Sequence, residues 1–550
     1  MIHFPEIFQA LLTSRGLSNE DYQDFINPDY NKLHNPLLLP DMEKARDRVV
    51  RTMQKKEHIV VFSDYDADGI PGAAVLSDFF RRAKYENVSF YIPHRHDEGF
   101  GMNKTAIDEC HERGAKLIIT VDCGIADTEE VTHANKHGID VIITDHHLSA
   151  ESLPDAFAIV NPKRKGSSYP FSELCGATLA FKLVQAILAK EPFGIKEGME
   201  KWSLDLVAIA TLSDMVPLVG ENRIFAKFGL DVLRKSPRPG IQALMKKLNI
   251  DQRNLSEDDV VFMITPRINA ASRMGVPLDA FKLLSTDNSK EAGEIAEHLE
   301  QINNERKGVV ASIVKEAKKH LKMREKLGEV IVAGNPEWRP ALLGLVANSL
   351  VEEYKRPVFV WGRDGDGALK GSCRSYNGRN LFELMQSASG YFLEFGGHAG
   401  AGGFTVTLEQ LTVLEEKLSE IFKENTKKST NPQGSTLESS GLITVSPEEI
   451  REDLWETVSL FAPFGMGNPK PVFKINSAVS GVKKFGKEGN HLELSLNNGQ
   501  IKAISFFSSP DSFSVLPTPG LSINLLAHLE KSFFRNRPEL RLRIVDILEG

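Results

Sequence analysis

Short apolar runs alternate with stretches of helical periodicity along the first part of the chain. The run before Asp64 and those at 117–121 and 141–144 are rich in Val and Ile and bounded by polar or glycine residues. That pattern predicts strands of a parallel sheet buried on both faces. Between them, 72–82 carries Ala73, Ala74, Leu76, Phe79 and Phe80 at helical spacing, and 103–113 and 129–136 follow on shorter lengths. The expectation is βαβ organisation. Helix-forming residues without proline predict one long connecting helix over 289–327. Beyond it, EVIVAG, PVFVWG and ALKGSCRS read as strands, LFELMQSASGYF as a helix and GGHAGAGGF as a glycine-rich turn. The runs HLELSLNN, QIKAISFF, LSINLLAHLE and LRLRIVDILE predict a small terminal β-barrel.

Each early run ends in chemistry. Asp64, Asp66 and Asp68 alternate in SDYDADG, Asp122 follows the second run, and Asp145, His146 and His147 follow the third. Asp-Gly by itself signals only a turn, but three strand ends in one open parallel sheet face the same crevice. Asp214, after LVAIATLS, is a further candidate. Carboxylates brought that close repel and partly protonate unless a divalent cation neutralises them. Oxygen donors with one imidazole favour Mn²⁺ or Mg²⁺ over zinc. Adjacent His146 and His147 point to opposite sides if they extend a strand, so one would ligate and the other touch substrate.

Composition narrows the class. A chain of 550 residues with 41% hydrophobic content implies several buried cores. No apolar run approaches the ~20 residues of a membrane span, and MIHFPEIFQALLTSRG has neither a charged n-region nor a long apolar segment. Cys110, Cys123, Cys175 and Cys373 form no recognisable pairing or metal spacing. The expectation is a cytoplasmic protein without a membrane partner. A net charge of −8 excludes indiscriminate coating of nucleic acid, so basic character should be local. The candidate patch is Lys531, Arg535, Arg537, Arg541 and Arg543 around Phe533 and Phe534. An edge strand solubilised by charge would look much the same.

In this order, DYDADG, VDCG, DHH and SDMVPL resemble the four motifs of the DHH phosphoesterase superfamily and, within it, its RecJ branch of bacterial single-stranded-DNA exonucleases. LLTSRGLSNEDYQDFINP, LHNPLLLPDMEKA, YIPHRHDEGFGMN, TPRINAASRMG, GGHAGAGGF and PFGMGNPKPVF extend the resemblance over nearly the whole chain. It implies an α/β fold in which a parallel-sheet DHH domain is joined by a long helix to a DHH-associated α/β domain, followed by a C-terminal OB-fold β-barrel. The expected divisions are a helical segment at 1–45, the DHH catalytic domain at 46–225, a helical connector at 226–327, the DHH-associated domain at 328–425, a linker at 426–440 and the OB-fold at 441–550.

The resemblance also implies site roles. Two ions, Mn²⁺ or Mg²⁺, would be held by Asp68, His146 and Asp214 on one side and Asp66 on the other. Asp122 would bridge them, with Asp64 as a weaker ligand or a supporting neighbour. His147 would sit beside the scissile phosphate. Arg95, Arg273, Ser372, Arg374, Gly396, Gly397 and His398 would bind the strand and its 5′ phosphate. The chain departs from the family in RPALLGLVANSL, where Arg339 stands for a histidine and Ser349 for an arginine, and beside the first motif at Ser63 and Pro71. The implied activity is 5′→3′ release of mononucleotides from single-stranded DNA in repair and recombination, with a single-strand-binding protein and a helicase as partners. The alternatives are a DHH phosphodiesterase acting on oligoribonucleotides or cyclic dinucleotides, and a non-catalytic scaffold.

Overall fold

The computed structural model describes residues 4–18, 22–149, 152–428, 442–486, 489–508, 510–532 and 538–550. Its first sheet consists of β1 (His58–Ser63), β2 (Val88–Tyr91), β3 (Ala115–Val121), β4 (Asp140–Thr144) and β5 (Ala158–Val160). All four pairings are parallel, in the order β2-β1-β3-β4-β5. Alternation sorts the side chains. Ile59, Val61, Leu117, Ile119 and Ile142 enter one core, and Val60, Phe62, Ile118, Val141 and Ile143 enter the other. Helices Met42–Lys55, Gly69–Arg82 and Gly176–Lys190 cover the first face, and Lys104–Glu112 and Thr128–Lys136 the second. Strand order reverses between β1 and β3, and a crevice opens at the carboxyl ends of strands at such a switch point.

The connecting helix runs Ser289–Lys322, capped by Asn288, whose side chain accepts from the backbone N–H groups of Lys290 and Glu291. Its first half puts Ala296 and Leu299 into the core of the first lobe, and its second half puts Ile313, Ala317 and Leu321 into the core of the second. One rigid element therefore fixes both lobes. The second lobe contains β6 (Ile331–Gly334), β7 (Val358–Arg363), β8 (Leu369–Arg374), β9 (Glu394–Gly397) and β10 (Ala401–Val406), in the order β6-β7-β8-β10-β9. Only β6 and β7 pair in parallel. GGHAGAGGF is not a simple turn, since most of it lies in the β9–β10 hairpin, where the absence of side chains lets the strands carry bare backbone.

The C-terminal unit holds β11 (Ile443–Thr444), β12 (Phe473–Phe485), β13 (His491–Leu496), β14 (Ile501–Phe506), β15 (Ser522–Ser532) and β16 (Glu539–Glu549). Pairing proceeds from β12 through β13, β14, β16 and β15 and returns to β12, a complete circuit. Phe533, Phe534, Arg535 and Arg537 of the expected basic patch lie outside the described residues, as does most of the expected linker at 426–440. The rest of the patch is partly spoken for. Lys531 pairs with Glu452, Arg541 lies 3.4 Å from Glu530, and the Arg543 guanidinium stacks 4.3 Å from the centre of the Phe506 ring.

The two ends of the chain meet. Ile7, Phe8, Leu11 and Leu12 of the Pro5–Thr13 helix share one core with Val458, Phe461 and Phe473. Arg223, on helix Gly220–Leu233 and fully buried, locks this junction by donating from Nη2 to the carbonyls of Phe461 and Ala462, both at 3.1 Å, and from Nε to that of Phe25. Burial, with the neighbouring Arg15 charge, pulls its pKa down to about 9. No carboxylate is within ion-pair distance of it among the described residues, so carbonyl dipoles hold the charge. Arg223→Met should take that donor from the Phe25 and Ala462 carbonyls at about 1–3 kcal/mol each, while Phe461 O keeps the amide of Asn468 at 2.8 Å. Calorimetry should show a lowered melting temperature and limited proteolysis an earlier release of the C-terminal unit; unchanged melting and cleavage would contradict the locking role.

Candidate metal and nucleic-acid site

The sheet ladder continues one residue past its strands. Asp64 N–H donates to Val121 O at 3.0 Å, Asp122 N–H to Thr144 O at 2.9 Å and Asp145 N–H to Val160 O at 3.2 Å. Three acids therefore stand side by side at the ends of β1, β3 and β4. Asp122 adopts a left-handed φ of 62°, unusual for a side chain other than glycine. Gly176 permits the approach of the next helix, because a Cβ there would sit 2.5 Å from the Asp122 Cβ.

Local structure supports the carboxylates. Asp68 accepts from the N–H groups of Gly176 at 2.6 Å and Ala177 at 2.7 Å, at the positive end of helix Gly176–Lys190. Asp66 Oδ1 accepts from Asp68 N–H at 2.7 Å and Gly69 N–H at 3.2 Å. Ala67 N–H donates to Asn269 Oδ1 at 2.9 Å, tying the acidic loop to helix Thr265–Arg273. Asp214 arrives from a different kind of element. Its apolar run is the buried helix Leu204–Ser213, and Asp214 is the C-cap residue.

These residues converge. His146 Nε2 lies 3.1 Å from Asp122 Oδ1 and 3.7 Å from both Asp68 Oδ2 and Asp214 Oδ2. Donor atoms of Asp68, His146 and Asp214 fall within 4.8 Å of one another, and so do those of Asp64, Asp66 and Asp122. Burial, compounded by the neighbouring carboxylates, pushes Asp64 and Asp122 well above the usual carboxylate range, Asp68 to about 6 and Asp214 to about 9. Burial, with the His147 charge, pulls His146 down to about 3, leaving a neutral imidazole with a free lone pair. Asp64 Oδ1 and Asp122 Oδ1 are buried with no hydrogen-bond donor among the described residues. Crowded, donor-starved oxygens beside a neutral imidazole fit divalent cations such as Mn²⁺ and Mg²⁺.

The second histidine differs. His147 is half-exposed, its Nδ1 held at 2.8 Å by Asp145 Oδ1, which also accepts its backbone N–H at 3.0 Å. Burial lowers its pKa, but the hydrogen bond and charge of Asp145 outweigh that and push it up to about 9. Asp145 Oδ2 is anchored by Ile125 N–H at 3.0 Å. Phe100, largely exposed, sets its ring edge-on 5.7 Å from the His147 ring.

A cleft of about 250 Å³ joins Asp64, Asp66, Asp122, His147 and Asp214 to Tyr65, Arg95, Phe100, Asn269 and Arg273. The Arg95 guanidinium stacks 4.9 Å from the centre of the Tyr65 ring. Arg273 reaches the second lobe, donating to Ala341 O at 2.5 Å, and burial with the charges of Arg95, Arg306 and Arg374 lowers its pKa to about 9. In the second lobe Ser372 is registered with Gly403, and Gly403 with Gly396. Arg374 Nη1 donates to Ser372 Oγ at 3.1 Å, and His398 is exposed beyond the edge strand. Of the departures, Arg339 is exposed before helix Pro340–Tyr354, and Ser349 turns its hydroxyl back to Leu345 O at 3.2 Å. Sequence reasoning gave no role to Asp145, Tyr65, Phe100 or Asn269. Each lies within or beside a motif it quoted; Tyr65, Phe100 and Asn269 meet partners from distant segments, whereas Asp145 meets His147 two residues on, through an orientation that residue order does not give.

If Asp145 holds the His147 proton, Asp145→Asn should bring the metal-free imidazole back towards its ordinary value near 6.5. The sign is definite: a pKa raised to about 9 keeps the ring cationic at neutral pH, and removing the carboxylate discharges it there. Histidine NMR titration of wild type and variant measures this, and an unmoved pKa would remove Asp145 from that role.

Comparison with known proteins agrees with this architecture. Models of the DHH family N-terminal domain, the DHHA1 domain and the RecJ OB domain match residues 58–211, 327–424 and 443–546. The chain is 35% identical to the single-stranded-DNA-specific exonuclease RecJ of Bacillus subtilis, over 99% of this chain and 68% of that protein. It is 32% identical to its Escherichia coli counterpart, over 79% and 78%. The crystal structure of RecJ in complex with Mn²⁺ from Thermus thermophilus superposes with a TM-score of 0.78 at 26% identity, covering 99% of this chain and 76% of that one. Matched at this level of identity along most of its length, the chain belongs to the RecJ family.

Proposed function

We propose that the chain is a single-stranded-DNA-specific exonuclease that hydrolyses phosphodiesters from the 5′ end with two divalent cations, Mn²⁺ or Mg²⁺. The observation that carries this reading is the position of Asp122, whose carboxylate belongs to a donor group with Asp64 and Asp66 and also lies 3.1 Å from His146 in the other. In this reading Asp68, His146 and Asp214 hold one ion, Asp66 the other with Asp64 in support, and Asp122 both. When bound, such a pair activates water and neutralises the leaving oxygen.

The chain's own groups do the rest. His147, oriented by Asp145, faces the cleft and stabilises charge on the scissile phosphate or donates a proton to the departing oxygen. Arg95 and Arg273 bind backbone phosphates, while Tyr65 and Phe100 offer faces for unstacked bases. Ser372, Arg374, Gly396, Gly397 and His398 take the terminal phosphate, with Arg374 supplying the charge. The C-terminal unit binds the strand further out, which favours this reading over a small cyclic or oligoribonucleotide substrate.

A nuclease restricted to single strands depends on prior opening of duplex DNA. The reading therefore calls for a helicase and a single-strand-binding protein as partners, in cytoplasmic repair and recombination. No helix among the described residues is long and apolar enough to cross a membrane.

The test uses 5′- and 3′-labelled single- and double-stranded DNA with Mn²⁺ or Mg²⁺. Label should leave as a mononucleotide from the 5′ end of single strands. A terminal 5′ phosphate should raise kcat/KM about tenfold over a 5′ hydroxyl, worth ~1.4 kcal/mol, and Arg374→Ala should abolish most of that preference. Release from the 3′ end would overturn the polarity. Equal use of both 5′ ends by the wild type would overturn the pocket.

A further inference from the structure

Four side chains on the helical face opposite the first core form a cluster that the nuclease reading does not use. Asp108 and His111 lie one turn apart on helix Lys104–Glu112, while His133 and His137 lie one turn apart on Thr128–Lys136 and its C-cap. His133 Nε2 and His137 Nε2 approach the same oxygen, Asp108 Oδ1, at 2.7 Å and 3.1 Å. The His137 ring centre is 4.8 Å from that of His133 and 4.4 Å from that of His111.

We propose that Asp108, His111, His133 and His137 form a second metal site, separate from the catalytic cleft and selective for Zn²⁺ or a similar transition-metal ion. Donors about 2.0–2.1 Å from a tetrahedral ion are about 3.3 Å from one another. The spacings of Asp108 to His133 and His137 are already close to that. Asp108, His133 and His137 offer donor atoms within 4.8 Å of one another; His111 lies outside that group, with its ring centre 4.4 Å from that of His137, and would turn to supply the fourth donor. Three imidazoles and one carboxylate suit zinc, whereas the oxygen-rich cleft suits Mn²⁺ or Mg²⁺. The cluster is partly open to solvent, with 26% of the His133 and 30% of the His137 side chain exposed, so an ion has a route in.

Position gives the site its consequence. Both helices are nine residues long, about 13 Å at 1.5 Å per residue, and the cluster runs from their middles to their C-terminal ends. At their N-terminal ends Asn103 caps the first helix, and Asp127 accepts the backbone N–H of Met102 at 2.7 Å, fixing the loop that carries Phe100 to His147. An ion would clamp the two helices together and stabilise the folded state by mass action. It would be too remote to take part in hydrolysis.

Full-length protein in excess Mg²⁺, which occupies the cleft, is titrated with Co²⁺ as a spectroscopic stand-in for zinc. The expected result is one equivalent with an intense tetrahedral d–d band, displaced by Zn²⁺, and a Zn²⁺-dependent rise in melting temperature. His133→Ala/His137→Ala should lose both while keeping its Mg²⁺-dependent nuclease rate within about twofold. His111→Ala should weaken Co²⁺ binding at least tenfold, and it decides the matter should the double variant not fold. A wild type without the band would overturn the site, leaving only histidines hydrogen-bonded to a surface aspartate. So would a band that persists in the histidine variants and disappears in Asp122→Asn, which would place the ion in the cleft.

Discussion

The architecture depends on holding five carboxylates and an imidazole together in a largely buried space. Two like charges about 4 Å apart repel by about 4 kcal/mol even at an effective dielectric near 20. Asp64, Asp66, Asp68, Asp122 and Asp214 multiply that repulsion. The fold offsets part of it with fixed dipoles. Asp68 sits on a helix N-terminus, and Asp66 accepts from its own turn. Burial, with the repulsion that remains, raises the carboxylate pKa values of Asp64 and Asp122, and among the described residues one oxygen of each is left without a donor. Cations would relieve both, so metal binding and loss of the shared protons are one event, and apparent metal affinity should weaken as pH falls.

The surrounding structure turns that centre into one end of a path. Helix Thr265–Arg273 does two jobs, since Asn269 pins the acidic loop and Arg273 bonds to the second lobe. The helix Ser289–Lys322, buried in both cores, keeps the arginines of one lobe at a fixed distance from the bare glycine hairpin of the other. A negative pit flanked by Arg95, Arg273 and Arg374 suits a phosphate backbone that must meet cations at its reacting end and guanidinium groups elsewhere.

Much of this was legible in the sequence because of where the acids fall. A buried parallel strand shows as an unbroken Val/Ile run, and the residue after it must lie at the sheet's carboxyl edge, so Asp64, Asp122 and Asp145–His147 could be placed without coordinates. Asp214 was legible as a candidate but not as a helix end, since a fully buried helix such as Leu204–Ser213 is apolar all round and looks like a strand run. β12 was missed although its first half alternates as a half-buried strand does, because small or polar Ser477, Ala478 and Ser480 weaken the apolar signal and its second half is mostly exposed. The Asp145–His147 bond, the Arg273 bridge and the docking of the first helix on the last domain were not legible. The last two join segments whose separation in the chain carries no local pattern, and the first, though only two residues apart, depends on a side-chain orientation at the strand end that residue order does not give.

The central claim is that Asp122 is shared between two ions. Mn²⁺ titration followed by electron paramagnetic resonance, on wild type and Asp122→Asn, tests it most directly. The account predicts two spin-coupled ions per wild-type chain. In the variant the coupling should be lost and turnover should fall at least about a hundredfold, or roughly 2.7 kcal/mol. A variant that still bound two coupled ions and kept a substantial part of wild-type turnover at saturating Mn²⁺ would contradict it.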